Sequence, residues 1–151
     1  MIRIFARVET STGHRLMGYA GKCSHPHGHS YVWEAEAQGI IPPGQEKTGL
    51  MLDFSLLKQK LKEIVEPFDH SMVLREDDPL ISLLNSHMNR HVILDVNPTA
   101  ENLATYVAKR LLNEFPTFFI KVSVQETSSF RAESDGTGHV QVLEVRHVPK
   151  V

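Results

Sequence analysis

Hydrophobic and polar residues alternate in the first part of the chain, and this pattern predicts two half-buried β-strands. The first strand covers residues 2–8, and its apolar side consists of Ile2, Ile4, Ala6 and Val8. The same parity continues through two threonines to His14, which places His14 at the inner end of this strand. The second strand covers residues 28–41, with one side made of Tyr31, Trp33, Ala35 and Ala37. Residues 16–26 contain Cys23 among glycines and a proline, and they predict a loop.

Two amphipathic helices are predicted further along the chain. Asp53 is a suitable N-cap for the first helix, and apolar residues then recur at helical spacing, namely Phe54, Leu57, Leu61, Ile64, Val65 and Phe68. We expect this helix to end near Pro67. The second helix starts at residues 97–99 with Pro98 in its first turn, and it stops before Pro116. Its apolar side consists of Leu103, Val107 and Leu111.

The remaining segments complete an α+β pattern. Residues 69–97 are mixed, and their composition allows a short helix at 79–85 and an extended piece at 91–94. Residues 118–125 and 140–148 predict strands, and residues 134–138 predict a turn. The order β-β-α-α-β-β predicts an antiparallel four-stranded sheet with two helices on one face, in a single domain over residues 1–151.

Composition excludes several classes of protein. The net charge of -2 provides no electrostatic reason to bind nucleic acid or an anionic membrane. The single cysteine excludes an intramolecular disulfide and suits a reducing cytoplasm. No apolar run has the length of a membrane helix, and the polar start is not a signal peptide, so we expect a cytoplasmic protein.

The most informative motif is His27-Gly28-His29. In an extended chain the two histidines point to the same side, and antiparallel pairing with the first strand would bring His14 opposite them. Three histidines without a fourth protein ligand are typical of a catalytic zinc site, in which the open position takes water or substrate. The alternative is a pair of surface histidines in a turn that contains glycine.

There are two candidates for a catalytic base, one just before this motif and one further along the chain. A cation beside Cys23, either zinc or Lys22, would favour its thiolate, whereas the alternative is a small buried apolar residue. In the pair Asp69-His70 the aspartate can fix the tautomer of a histidine. Adjacent residues seldom hydrogen-bond each other directly, so Asp69 is expected to orient another group. The alternative is that the Asp69-His70 pair has no catalytic role and only marks the end of a helix.

Three further residues are candidates for binding a ligand. Thr99 and Glu101 lie in the first turn of the second helix, where free backbone N–H groups await acceptors, and they either cap the helix or bind a ligand. Glu126 follows an apolar strand with inward parity, and a carboxylate placed inward needs a partner. That partner is either the guanidine-like edge of a ligand or an arginine of this chain or of a neighbour.

Seven short segments in this order resemble the family of 6-pyruvoyltetrahydropterin and 6-carboxytetrahydropterin synthases. They are His14-Arg15-Leu16, Gly21-Lys22-Cys23, His27-Gly28-His29-Ser30-Tyr31, Asp53-Phe54, Phe68-Asp69-His70, Pro98-Thr99-Ala100-Glu101-Asn102 and Gln125-Glu126-Thr127. The resemblance covers nearly the full length. The short gap between Cys23 and His27 is similar to that of the bacterial 6-carboxytetrahydropterin synthases.

The resemblance implies a fold, an assembly and roles for the candidate residues. The fold would be the tunnelling fold, in which trimers close a barrel, two trimers stack into a homohexamer and active sites lie between subunits. One zinc per subunit would bind His14, His27 and His29. Cys23 would be the general base, supported by Asp69 and His70. Glu126 would anchor the pterin ring, helped by Thr99 and Glu101.

The resemblance also implies a reaction. The substrate would be 7,8-dihydroneopterin triphosphate, and the products would be 6-carboxytetrahydropterin, acetaldehyde and triphosphate, an early step toward queuosine and other 7-deazaguanines. One alternative is a 6-pyruvoyltetrahydropterin synthase, which keeps the carbon skeleton. Others are a non-catalytic oligomer that binds a pterin or purine and retains a metal, and a zinc ion with a purely structural role.

Overall fold

The structure, a computed structural model, describes residues 1–87 and 90–147. Within these residues the chain forms an α+β fold with a seven-stranded sheet and three α-helices. The strands are β1 (Ile2–His14), β2 (His27–Gly39), β3 (Ser71–Arg75), β4 (His91–Leu94), β5 (Phe119–Gln125), β6 (Arg131–Ser134) and β7 (Val142–Arg146). The helices are α1 (Phe54–Val65), α2 (Leu80–Ser86) and α3 (Ala100–Glu114).

The sheet has the strand order β6-β5-β2-β1-β3-β4-β7. The β1–β2 hairpin is antiparallel along the whole of both strands, from Ile2 opposite Gly39 to His14 opposite His27. β3 pairs in parallel with β1 only at residues 12–14, and β3 and β4 are also parallel. The predicted four-stranded antiparallel sheet is therefore wrong in strand number and in its direction at β3 and β4.

Three strands beyond the predicted four account for this difference: β4, which was predicted only as an extended piece, and β3 and β6, which the sequence pattern did not predict. β3 contains Met72, Val73 and Leu74 in one run, and a strand covered on both faces loses the alternation that marks a half-buried strand. β6 has one alanine among three polar residues and is extended because it pairs with β5, from Val122 opposite Ser134 to Gln125 opposite Arg131. The predicted short helix and the extended piece of the mixed segment are confirmed as α2 and β4.

Helices α1 and α3 cover the apolar face of the sheet. The Asp53 side chain caps α1 by accepting a hydrogen bond from Ser55 N at 2.6 Å, and Thr99 caps α3 by accepting one from Asn102 N at 3.2 Å. Pro98 therefore lies before the cap of α3 rather than in its first turn as predicted. Both helices contribute residues to the core between them and the sheet, including Leu57, Leu61, Leu103, Val107 and Leu111.

β1 runs six residues beyond the predicted end at residue 8, to His14, and other predicted boundaries shift by one or two residues. β2 ends at Gly39 rather than at residue 41, and the last strand ends at Arg146, whereas Val148 lies outside the described residues. No helix in the described part of the chain is both long and apolar enough to span a membrane.

Candidate active site

Three histidines converge where β1 ends and β2 begins. The register places His14 opposite His27, and His29 lies two residues further along β2 on the same side. Their ligand atoms all lie within 4.8 Å of one another, and the Nε2 atoms of His14 and His27 are 3.1 Å apart. Two nitrogens bound to one tetrahedral zinc are separated by about 3.3 Å. The predicted grouping of the three histidines is therefore confirmed, with a spacing that suits a metal ion.

Backbone carbonyls fix how two of these rings are oriented. His14 Nδ1 lies 2.8 Å from the Pro98 carbonyl oxygen, and His27 Nδ1 lies 2.7 Å from that of His25. A carbonyl accepts only, so each Nδ1 donates its proton and each Nε2 keeps a free lone pair. His29 Nε2 is buried and has no hydrogen-bond partner among the described residues. All three rings thus offer a nitrogen of the kind that binds metals.

Burial favours the uncharged, metal-binding form of His14 and His29. Burial lowers the pKa of His14, and the neighbouring imidazoles of His27 and His29 lower it further against the opposing effects of the Pro98 carbonyl and Glu126. Burial likewise lowers the pKa of His29. Because an uncharged imidazole is the ligand, a lowered pKa makes the site available at neutral pH.

Glu126 is connected to the histidines by a buried tyrosine. The Tyr31 hydroxyl donates to Glu126 Oε1 at 3.0 Å and lies 3.1 Å from His14 Nδ1. Burial, together with the nearby Glu126 carboxylate, raises the pKa of Tyr31, so the hydroxyl keeps its proton. Among the described residues, Tyr31 is thus a partner of the inward carboxylate in place of an arginine of this chain, whereas the guanidine-like edge of a ligand and an arginine of a neighbour stay predictions. Its side chain remains 22% exposed, which leaves part of the carboxylate accessible to a ligand.

A cavity of about 560 Å³ lies beside the histidines. Four of the predicted residues line it together with His14, namely Cys23, Thr99, Glu101 and Glu126. Thr99 both caps α3 and faces this cavity, so its two predicted roles are compatible. The cavity therefore combines one imidazole of the histidine cluster, a thiol and two carboxylates.

Asp69 and His70 lie at the surface of the chain, outside the lining of this cavity. His70 is exposed and lines a different, shallow concavity with Ser11 and with His29 of the histidine cluster. Contrary to expectation the two residues contact each other directly, with His70 Nδ1 3.0 Å from Asp69 Oδ2. The left-handed backbone of His70, with φ of 53°, accompanies this contact. Burial acts to raise the pKa of Asp69, but hydrogen bonds from Ser11 N and His70 lower it overall. Within one chain, the structure does not bring this pair to the cavity.

Comparison with known proteins agrees with these features. A protein-family model described as "6-pyruvoyl tetrahydropterin synthase" matches residues 3–137. The chain belongs to this family. A relative from Rickettsia felis named 6-carboxy-5,6,7,8-tetrahydropterin synthase is 37% identical over 80% of this chain and 85% of its own length. The protein of the same name from Rickettsia conorii is 35% identical over 85% of this chain and 91% of its own length.

Solved structures of similar proteins have the same fold. The 6-pyruvoyl tetrahydropterin synthase of Caenorhabditis elegans matches 90% of this chain and 96% of its own with a TM-score of 0.65 and 22% identity. An uncharacterized protein from Wolinella succinogenes matches 88% of this chain and 97% of its own with a TM-score of 0.68 and 20% identity. At these identities the likeness shows the fold alone.

Three residues near the cavity of this family member were not predicted as functional. Tyr31 shares parity with the two β2 histidines, so its position beside them followed from the strand pattern, whereas its bond to Glu126 did not. Asn97 and Phe130 line the cavity from segments without a recognisable chemical motif. For these two residues no sequence signal was available.

Proposed function

We propose that this protein is a 6-carboxytetrahydropterin synthase. It would convert 7,8-dihydroneopterin triphosphate and one water molecule to 6-carboxytetrahydropterin, acetaldehyde and triphosphate. The observation that most supports the proposal is the convergence of three imidazole nitrogens beside a cavity that also contains Cys23 and Glu126. The names of the Rickettsia relatives favour the 6-carboxy over the 6-pyruvoyl reaction.

The histidines would hold one zinc ion per subunit. The buried Nε2 of His29, which has no hydrogen-bond partner in the part of the chain that the structure describes, and the fixed tautomers of His14 and His27 fit a metal with three nitrogen ligands and an open fourth position. Bound zinc would act as a Lewis acid toward oxygen atoms of the substrate side chain. Three neutral imidazoles suit a divalent ion that is borderline in softness, which is the class to which zinc belongs.

Glu126 would hold the pterin ring. A carboxylate accepts two parallel hydrogen bonds from a guanidine-like edge, and Tyr31 fixes one of the carboxylate oxygens of Glu126 from behind. Thr99 and Glu101 line the same cavity at the amino terminus of α3 and would contact the rest of the ring. Cys23, which lines the same cavity, would remove a proton from the substrate side chain as general base.

Asp69 and His70 would act in the site of a neighbouring subunit. Residues 3–11 of β1 pair with β2 on one side, and in the described part of the chain no strand pairs with their other side. Such an edge can accept the edge strand β6 of a second copy, and repetition of this contact closes a barrel. Asp69 accepts a hydrogen bond from Ser11 N at the end of this edge, which is where the second copy would join. We propose trimers of this kind, stacked in pairs as a homohexamer.

Production of acetaldehyde tests the proposed reaction. Purified protein incubated with dihydroneopterin triphosphate should release acetaldehyde and triphosphate in equal amounts, and a chelator should stop the reaction while the circular dichroism spectrum is kept. Substrate loss without acetaldehyde would favour the 6-pyruvoyl reaction, and no substrate loss would favour a binding protein. Unfolding by the chelator would instead indicate structural zinc. The Cys23→Ala variant should lose turnover and keep about one zinc per chain.

Mixed oligomers test the shared site. Chains with Cys23→Ala and chains with His70→Ala, each inactive alone, should recover activity when produced together. Some interfaces then combine an intact Cys23 from one subunit with an intact His70 from its neighbour. A pair of Asp69→Ala and His70→Ala chains is the matched control and should stay inactive, since both changes affect the same side. No recovery in the first mixture would contradict a site between subunits.

A further inference from the structure

The segment of residues 15–24, here called the cysteine loop, is tied to the start of α3 by one side chain. Asn97 Oδ1 accepts a hydrogen bond from Met17 N at 2.9 Å, and Asn97 Nδ2 donates to Met17 O at 2.8 Å. Asn97 lines the cavity, but both ends of its amide are engaged by the backbone of Met17. Its side chain is therefore committed to the loop rather than to a ligand.

Hydrogen bonds extend this contact to Cys23. Leu16, next to Met17, donates its backbone N–H to the Cys23 carbonyl oxygen at 2.8 Å. At the other side, the Asn97 carbonyl oxygen accepts from Asn102 Nδ2 of α3 at 2.9 Å. A displacement of Met17 relative to α3 thus moves the backbone that holds Cys23.

The neighbouring residue contacts the histidine cluster. The Pro98 carbonyl oxygen accepts from His14 Nδ1 at 2.8 Å. The dipeptide 97–98 therefore contacts the cysteine loop through the Asn97 amide and the first histidine through the Pro98 carbonyl. These two contacts use different atoms, so the first can be removed while the second remains.

We propose that Asn97 is a positioning residue that sets where Cys23 lies relative to His14. Only an asparagine side chain offers both a donor and an acceptor at this reach, because aspartate lacks the donor and glutamine is longer by one methylene. Misplacement of a reacting group by about 1 Å can reduce turnover about 100-fold. This consequence for turnover depends on the proposed function, whereas the position of the loop does not.

Alkylation of Cys23 measures the loop directly, because the chain contains one cysteine. The full-length, zinc-loaded protein is treated with iodoacetamide, and modification is followed by mass spectrometry. Asn97→Ala and Asn97→Asp should be alkylated about fivefold to tenfold faster than wild type, since loss of the bonds to Met17 lets the loop open more often. The matched control is Asn113→Ala, an exposed asparagine on α3, which should react like wild type.

Kinetic and metal measurements separate positioning from a general loss of structure. In both Asn97 variants kcat should fall about 100-fold with KM within about threefold, and the zinc content should stay at that of wild type because the Pro98 carbonyl still orients His14. A wild-type protein without synthase activity would refute the proposed function, but the alkylation rates would still decide the role of Asn97.

Two results would overturn the role of Asn97. One is an alkylation rate within twofold of the Asn113→Ala control in variants that remain folded. The other is loss of the folded state in both Asn97 variants, which would make this side chain a general support of the fold. If only Asn97→Ala fails to fold, Asn97→Asp retains the acceptor for Met17 N and supports the comparison alone.

Discussion

Replacement of Asp78 by asparagine tests how much its ion pair with Arg15 contributes to the free energy of unfolding. The Asp78 side chain is fully buried, and that of Arg15 is 17% exposed. Arg15 Nε donates to Asp78 Oδ2 at 2.6 Å, Arg15 Nη2 donates to Oδ1, and Leu80 N donates to Oδ1 at 2.8 Å. The pair therefore joins the start of the cysteine loop to the start of α2.

The size of the effect follows from this burial. In Asp78→Asn one carboxylate oxygen becomes an NH₂ group that faces an arginine donor, and the guanidinium loses its counter-charge. Removal of one partner from a buried ion pair costs about 3–5 kcal/mol, and we expect about 3 kcal/mol because Arg15 retains some contact with water. For a chain of this length each kcal/mol lowers Tm by about 2–4 °C, so Tm should fall by about 6–12 °C.

The adjacent residue provides a matched control. Asp77 also forms a two-pronged pair with an arginine, at 2.5 and 2.8 Å to Arg75, but its side chain is 58% exposed. Asp77→Asn should therefore shift Tm by no more than about 2 °C. Both variants are melted with circular dichroism detection at the same protein and zinc concentrations, since binding and assembly also change Tm. Equal shifts for the two variants would refute the argument from burial.

Two further predictions concern the histidine cluster. His29→Ala should reduce bound zinc to well below one per chain, measured by elemental analysis after dialysis. A variant at the exposed His70, His70→Ala, should keep its zinc. Full zinc in His29→Ala would contradict the assigned ligands. The metal-free protein should become less stable to urea as the pH falls through 6.5, the ordinary pKa that burial lowers for His14 and His29. Below that pH the unfolded chain takes up protons that the folded chain does not, so stability is lost; a constant stability across this range would argue against the lowered values.

The part of the fold that could be predicted is the part with a local repeat. Alternation along β1 and β2 predicted that His14, His27 and His29 share a side, because side chains on a strand repeat every two residues. The caps Asp53 and Thr99 could also be recognised from local sequence, since each side chain accepts a hydrogen bond from an N–H group two or three residues ahead.

Long-range pairing accounts for the elements that were missed. β6 has only four residues, too few for a pattern of its own, and becomes a strand through its partner β5. The contact of Asn97 with Met17 spans 80 residues, and that of Arg15 with Asp78 spans 63. No periodicity in the chain relates such positions to each other.

The amino-acid sequence by itself determined which side chains could bind a metal, on which side of their strands they lie and where the main helices begin. Only the tertiary structure decided which carbonyls orient His14 and His27, that burial lowers the pKa of His14, and that Asp69 and His70 lie away from the cavity. The reason is physical: side-chain parity and helix capping depend on neighbours along the chain, whereas carbonyl partners, burial and sheet order depend on how distant elements pack against each other.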